Sequence, residues 1–196
     1  TLEKESDRLI FALKNSVDGH SSIDARGSYG MEAKDIELST ALDRFDFGYA
    51  APFLESIFSE TGGDISGYIS ASGPIDRISI SGNGIRLSDG LIRIAYTNVP
   101  YYVEGPLHIN NDGLFFDNLA VKDRFDGTGS VNGGISFNHF QDLRMNTRIR
   151  MDNIECLNTT ERDNSTFYGN VFGTGRMNIT GPFDALMMDI EATTTK

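Results

Sequence analysis

Apolar and polar residues alternate along most of this chain, and the alternation predicts a series of β-strands. It is clearest at residues 131–137 and 145–151. Successive side chains of a strand point to opposite faces, so a period of two indicates strands with one apolar and one solvated face. Turn residues separate the runs, an order typical of an antiparallel sheet and unlike a doubly wound α/β fold. The strand candidates from Asp64 onward are 65–72, 75–81, 84–88, 91–97, 99–104, 106–110, 114–122, 128–138, 142–154, 168–180 and 183–193.

The first part of the chain carries a weaker form of the same pattern. The compact apolar run at 7–14 fits a strand or a helical turn, and we favour the strand. We expect residues 1–41 to form an N-terminal β segment that continues the same sheet as residues 42–196. The chain opens on Thr1 without a Met, so we expect one continuous domain cut from a longer protein.

Residues 51–60 depart from the period of two. Phe53 lies four residues before Ile57, and Leu54 lies four residues before Phe58. This spacing places each pair on one side of a helix, so it predicts one short amphipathic helix near 51–60. We interpret it as a cap on an open end of the sheet. The alternative is a plug or gate over an apolar groove.

A unit of two strand-like runs occurs twice, at residues 67–80 and 175–188. The two copies share a first Gly, a Gly-Pro pair, an Asp and two apolar positions at a constant offset of 108. Each copy predicts two strands joined by a Gly-Pro turn. Repetition of such a unit extends a sheet rather than building a catalytic pocket. The repeat therefore indicates a binding or conduit protein.

Composition narrows the function classes. Glycine is abundant at 21 residues, which suits many strands and turns. The formal net charge of −11 counts against nucleic-acid binding, which requires neutralisation of phosphates. It also counts against peripheral docking on anionic lipid. Cys156 is the only cysteine, so no internal disulfide can form. No apolar run approaches the roughly 18–20 residues that span a bilayer.

Catalytic and cofactor motifs are missing from the sequence. The glycines at 127–133 precede a strand instead of the helix that a dinucleotide loop requires. The histidines His20, His108 and His139 are far apart and lack the spacing of a zinc site. No Gly-x-Ser-x-Gly elbow is present. We therefore expect a protein that is not an enzyme, with no catalytic residue, cofactor or metal.

The apolar faces of the strands are the remaining candidates for function. In a closed sandwich they form an ordinary core. In a single sheet curled on itself they line a groove for an acyl chain or an unfolded amphipathic strand, and composition does not choose between the two. The candidate groove residues are Ile69, Ala71, Ile78, Ile80, Ile92, Ile94, Tyr96, Phe115, Val121, Ile135, Phe137, Ile149, Met177, Ile179, Leu186, Met188 and Ile190.

Three segments resemble the TamB family of translocation and assembly modules, in its C-terminal β-taco domain. They are residues 49–74 (YAAPFLESIFSETGGDISGYISASGP), 112–123 (DGLFFDNLAVKD) and 157–175 (LNTTERDNSTFYGNVFGTG). The likeness covers about Leu42 to Thr194, and residues 1–41 are compatible with it. The resemblance implies an elongated, curved, mainly antiparallel sheet with an apolar groove.

The resemblance also implies a role and a location. Members are large, non-enzymatic proteins of the bacterial cell envelope that are anchored in the inner membrane and span the periplasm. They partner with an outer-membrane barrel of the Omp85 type, and they move phospholipid or assist outer-membrane protein assembly. We expect a segment of such a conduit, with its anchor outside this fragment. The alternative is a structural or adhesive β-sandwich of the cell surface with a closed core. A carbohydrate-active enzyme is a distant third.

Overall fold

A computed structural model of the chain describes residues 2–5, 7–17, 21–55, 57–138, 141–163, 165–166 and 168–195. They form one antiparallel sheet of twelve strands, whose order in the sheet follows their order in the chain. This confirms the predicted all-β fold. The strands are β1 (Leu2–Glu5), β2 (Arg8–Val17), β3 (Ser21–Gly30), β4 (Asp35–Asp46), β5 (Phe58–Pro74), β6 (Ser79–Ile94), β7 (Val99–Asn110), β8 (Gly113–Lys122), β9 (Thr128–Asn138), β10 (Gln141–Thr159), β11 (Gly169–Pro182) and β12 (Met187–Thr194).

The sheet is elongated because each strand pairs only with its neighbours in the chain. Eleven inter-strand spacings of about 4.8 Å give a width of about 53 Å. Strand β4 spans residues 41 and 42, where the sequence placed a boundary between segments. The hairpin loops alternate between two ends of the sheet. We call the end with loops 75–78, 111–112 and 183–186 the turn end, and the end with loops 95–98 and 123–127 the capped end.

Strand register divides the side chains between two faces, because residues directly opposite in an antiparallel pair share a face. One row crosses five strands with apolar side chains only, and we call its side the apolar face. The opposite side, the polar face, carries Ser70, Ser81 and Arg148 among others. The apolar row from β8 to β12 is Leu119, Val131, Ile149, Met177 and Ile190.

The sheet is a single layer over most of its extent. Its accessible surface is 12252 Å² for a mass of 21.6 kDa. A compact protein of that mass exposes about 9,200 Å². All twelve strands belong to one sheet, so within the described residues no second sheet covers the apolar face. The buried apolar residues are Ala25, Ile85, Leu87, Val99, Val103, Leu119, Val121, Ile154 and Phe172.

A row of β-bulges crosses the sheet. Each of β4, β6, β8 and β10 has an extra residue at a register shift with the next strand, and β6 and β10 contain further shifts. Bulges bend a strand and increase its twist. A row of them on alternate strands therefore forms a crease across the sheet. The bulge residues are Arg44, Asp89, Asn118 and Asn153, with φ of 48°, 50°, 52° and 48°.

The bulges share local features besides their dihedral angles. On the following strand, a glycine with positive φ pairs with the residue two positions before each bulge residue. In three of the four, a side chain of that strand accepts a hydrogen bond from the amide of the bulge residue. The glycines are Gly67, Gly105, Gly133 and Gly175. The capped amides are those of Arg44 with Ser66 Oγ (2.9 Å), Asn118 with Asn132 Oδ1 (2.9 Å) and Asn153 with Thr174 Oγ1 (2.8 Å).

Two predicted turns are bulges instead. The sequence placed turns at 82–84 and 89–90 and three short strands around them, whereas β6 runs without a break through Ser79–Ile94. Asx-Gly and Gly-rich segments supply positive φ, which a bulge needs as much as a hairpin does. The local signal was therefore correct, but it did not specify whether the chain reverses.

The predicted helix at 51–60 is shorter than expected. A 3₁₀ turn at Phe47–Ala50 leads into the one-turn helix α1 at Ala51–Leu54. Strand β5 already begins at Phe58, whose partner in the ladder is Ile94. An isolated helix of this length is marginal in water, so pairing with β6 prevails at its C-terminal half. No described helix has the length and hydropathy that would let it cross a membrane.

The two copies of the repeated unit have the same local structure. Gly73-Pro74 ends β5 and Gly181-Pro182 ends β11, each followed by a four-residue hairpin loop. In each loop an amide donates to the proline carbonyl, from Arg77 at 2.8 Å and from Ala185 at 2.9 Å. The glycines of the two Gly-Pro pairs, Gly73 and Gly181, have φ of 112° and 118°. The predicted pair of strands joined by a Gly-Pro turn is confirmed in both copies.

Candidate functional site

The apolar face carries most of the residues that the sequence nominated for a groove. Direct strand pairing and alternation from paired neighbours place thirteen of them on it. Most are half-buried by their neighbours in the sheet, whereas those on β12 are more than half exposed. The thirteen are Ile69, Ala71, Ile80, Ile92, Ile94, Val121, Ile135, Phe137, Ile149, Met177, Ile179, Met188 and Ile190.

Four nominated residues lie elsewhere. Ile78 and Leu186 belong to hairpin loops at the turn end, and Tyr96 is an exposed residue of the loop before β7. Phe115 is a correction, because its register partner is His108 on the polar face. Two consecutive phenylalanines cannot share a face, and the register assigns the apolar face to Phe116.

The apolar face carries a buried cluster at the capped end. There Leu87, Val103, Leu119, Val121 and Ile154 form a buried cluster. Phe47, from the 3₁₀ turn before α1, packs against it. The turn therefore acts as a cap on the sheet, through a residue that the sequence did not nominate. Its only sequence signal is the continued alternation of Phe45, Phe47 and Tyr49.

The residues nominated for a cap or plug are distributed over three elements. Leu54 ends α1 and is half-buried, and Phe58 belongs to β5. Ile57 lies in the connecting turn, where its carbonyl accepts a hydrogen bond from Ala95 at 3.0 Å. The side chain of Phe53 lies outside the described residues, as do His20 and His139. The described residues form no single amphipathic plug.

Strands β7 and β10 contact each other at the capped end. In a flat sheet, strands three positions apart are separated by about 14 Å. Here the amide of Asn158 donates to the carbonyl of Thr97 at 2.9 Å, and the Tyr101 hydroxyl donates to the carbonyl of Glu155 at 2.7 Å. The sheet is therefore strongly bent at this end, and the bend encloses the apolar cluster.

The loop at 123–127 fills the gap between these strands. Asp123 is buried and accepts three backbone hydrogen bonds. Its Oδ1 binds the amides of Phe125 and Gly127 at 2.7 and 2.8 Å, and its Oδ2 binds the amide of Glu155 at 2.6 Å. The Phe125 ring meets the edge of Phe172 on β11. We call this loop with its partners on β10 and β11 the latch.

A buried carboxylate completes the latch. Glu155 is fully buried, and its Oε1 accepts from Arg124 at 2.8 Å and from Asn170 at 2.6 Å. Its Oε2 accepts from Arg124 Nε at 3.1 Å. The hydrogen bond to Glu155 raises the pKa of the Arg124 guanidinium. Every oxygen of the Asp123 and Glu155 carboxylates therefore accepts a hydrogen bond from within the protein.

Two nearby groups are held in their neutral forms. Burial raises the pKa of the Tyr101 phenol, and the negative charges of the latch add to the effect. Burial also raises the pKa of the Cys156 thiol. A neutral thiol is a poor nucleophile. Among the described residues, no group of His, Cys, Asp or Glu has an arrangement that could hold a metal ion.

Comparison of this chain with protein-family models, curated protein sequences and solved structures gives no match. The fold and the arrangement of its faces are therefore the basis for assigning a function.

Proposed function

We propose that this chain is a segment of a periplasmic conduit that holds phospholipid acyl chains, or nascent outer-membrane strands, against its apolar face. The observation that supports this most is the single layer: a sheet about 53 Å wide presents one apolar face without a second sheet over it in the described residues. A sandwich with a closed core would require that second sheet.

The chemistry of the face suits an apolar, non-specific ligand. The row from Val131 to Ile190 presents aliphatic and thioether side chains without a charged group. Each methylene removed from water contributes about 0.8 kcal/mol, so ten methylenes of an acyl chain contribute about 8 kcal/mol at most. No hydrogen bond is required, and a chain can move along such a surface without losing a specific contact.

The family resemblance supports the location and the partner. A TamB-like segment belongs between an inner-membrane anchor and an Omp85-type barrel. The net charge of −11 fits a long periplasmic surface that must remain dispersed. The bulges of the crease and the Gly-Pro hairpins are local features that recur along the sheet. A conduit built from repeated units requires features of this kind.

Site-specific photo-crosslinking tests the proposal. Neighbouring residues Ile80 and Ser81 of β6 point to opposite faces, so they form a matched pair. A photoreactive residue is placed at either position, and the protein is illuminated with vesicles of phosphatidylethanolamine and phosphatidylglycerol. We expect lipid adducts from position 80 and background levels from position 81.

A second pair, Ile69 and Ser70 on β5, repeats the comparison one strand away. Equal adduct yields from both faces, or adducts from positions 81 and 70 alone, would contradict the assignment of the apolar face as the acyl-chain surface. If unfolded outer-membrane protein forms adducts and phospholipid does not, the cargo is the nascent strand.

A further inference from the structure

The polar face has a concavity of its own, on the side of the sheet opposite the proposed acyl-chain surface. It extends over β10, β11 and β12 and has a volume of about 700 Å³. It is an open depression, in which the side chains of Arg176 and Glu191 are 63% and 75% exposed. Its lining consists of three arginines, three neutral polar residues and two carboxylates: Arg148, Arg150, Arg176, Asn146, Asn178, Thr180, Asp189 and Glu191.

The arginines in this cavity place like charges opposite each other, which destabilises the strand pair that carries them. Arg150 and Arg176 are directly opposite each other on β10 and β11. Like charges in that position destabilise a strand pair. Glu191 on β12 forms an ion pair with Arg176. Among the described residues, Arg148 and Arg150 have no ion-pair partner, although the chain as a whole is acidic.

The rest of the lining offers hydrogen-bonding groups, which are neutral except for the carboxylate of Asp189. Asn178 lies opposite Arg148, and Thr180 lies opposite Asn146. Asp189 on β12 adds an acceptor beside Asn178. Guanidinium groups bind phosphate oxygens in a bidentate manner, while amides and carboxylates bind hydroxyls. The cavity lining contains no apolar side chain that could hold an acyl chain.

We propose that this cavity binds a soluble sugar phosphate or polyol phosphate. The phosphate group lies between Arg148 and Arg150, with Arg176 alongside, and it offsets the repulsion between the facing arginines. Asn178, Thr180 and Asp189 bind the hydroxyls. The sheet separates this ligand from the apolar face, so this site does not depend on the proposed conduit function.

Calorimetric titration with glucose 6-phosphate at low ionic strength tests the site. We expect saturable 1:1 binding that weakens at least tenfold in Arg150→Gln and in Arg148→Gln. Arg86→Gln removes one exposed charge from the polar face on β6, away from the cavity, and should leave the affinity within twofold. Glucose without phosphate should not bind, and inorganic phosphate should bind more weakly than the sugar phosphate.

Several outcomes would overturn the proposal. One is the absence of binding by glucose 6-phosphate, and another is an equal loss in Arg86→Gln, which would reveal general charge attraction. Equal affinity for inorganic phosphate would remove the role of the hydroxyl-binding residues. Binding to phosphatidylglycerol vesicles but not to the sugar phosphate would assign the site to a lipid headgroup. Failure of acyl-chain crosslinking at position 80 affects none of these results.

Discussion

The latch offers the sharpest test of how the capped end is closed, through the substitution Asp123→Asn. The Asp123 carboxylate accepts hydrogen bonds from three amides, those of Phe125, Gly127 and Glu155, at 2.6–2.8 Å. It is 5% exposed, so water does not replace a missing bond. The amide of asparagine has one acceptor oxygen where the carboxylate has two. At least one buried N–H therefore loses its acceptor.

The magnitude follows from the bonds lost. A buried donor left without an acceptor costs about 1–3 kcal/mol. The bonds that remain are accepted by a neutral oxygen, and charge-assisted bonds are roughly twice as strong as neutral ones. We expect the opening of the latch to become easier by about 2–4 kcal/mol. Since about 1.4 kcal/mol is a factor of ten, the open population rises by roughly 30- to 700-fold.

Amide hydrogen exchange measures this opening at the residues concerned. The amides of Gly127 and Glu155 should exchange faster by that factor in Asp123→Asn, while amides of β2–β4 at the far side of the sheet keep their rates. Asp117→Asn is the matched control, because Asp117 is exposed on β8, the strand that leads into the latch loop. Exchange at Gly127 and Glu155 that changes less than threefold in Asp123→Asn would refute the reasoning. So would an equal change in Asp117→Asn.

Three further predictions concern single residues. Gly133→Ala should destabilise the protein to urea by more than 2 kcal/mol, because φ is 118° and the added Cβ would contact the carbonyl of Asn146; Gly62→Ala, with open space around it, should not. Tyr101→Phe should cost about 1 kcal/mol at pH 7. Burial raises the pKa of Tyr101 in the folded protein. The free energy of unfolding of the wild type should therefore fall above pH 10 by up to about 1.4 kcal/mol per pH unit. Tyr101→Phe should not show this contribution to the loss of stability. Finally, Cys156 should react with iodoacetamide at pH 8 more slowly than in urea, and equal rates would contradict its burial.

The fold was predictable because its signals are local. Alternation identified the strands, and the Gly-Pro pairs located two hairpins at 73–74 and 181–182. The bulge row also has a local sequence signal, separate from the repeated unit at 67–80 and 175–188. An apolar residue, Asp-Asn and another apolar residue occur at 116–119 and again at 151–154, at two of the four bulges.

The faces and the latch could not be predicted in the same way. Which of Phe115 and Phe116 joins the apolar face depends on the bulge at Asn118, since one extra residue reverses the alternation. The latch joins Asp123 to Glu155, 32 residues away, across a bend between strands. Such a contact exists only after the sheet has formed. The sequence around a single Asp or Glu does not predict whether that residue is buried in the folded protein.

The central claim is that the apolar face is open to an acyl chain. The chain contains no tryptophan, so one introduced indole reports on a single position. Ile80→Trp and Ser81→Trp place that indole on the apolar and the polar face of the same strand. Phospholipid brominated along its acyl chain quenches only an indole that it contacts. The account predicts strong quenching for Ile80→Trp and weak quenching for Ser81→Trp; equal quenching, or none in Ile80→Trp, would contradict it.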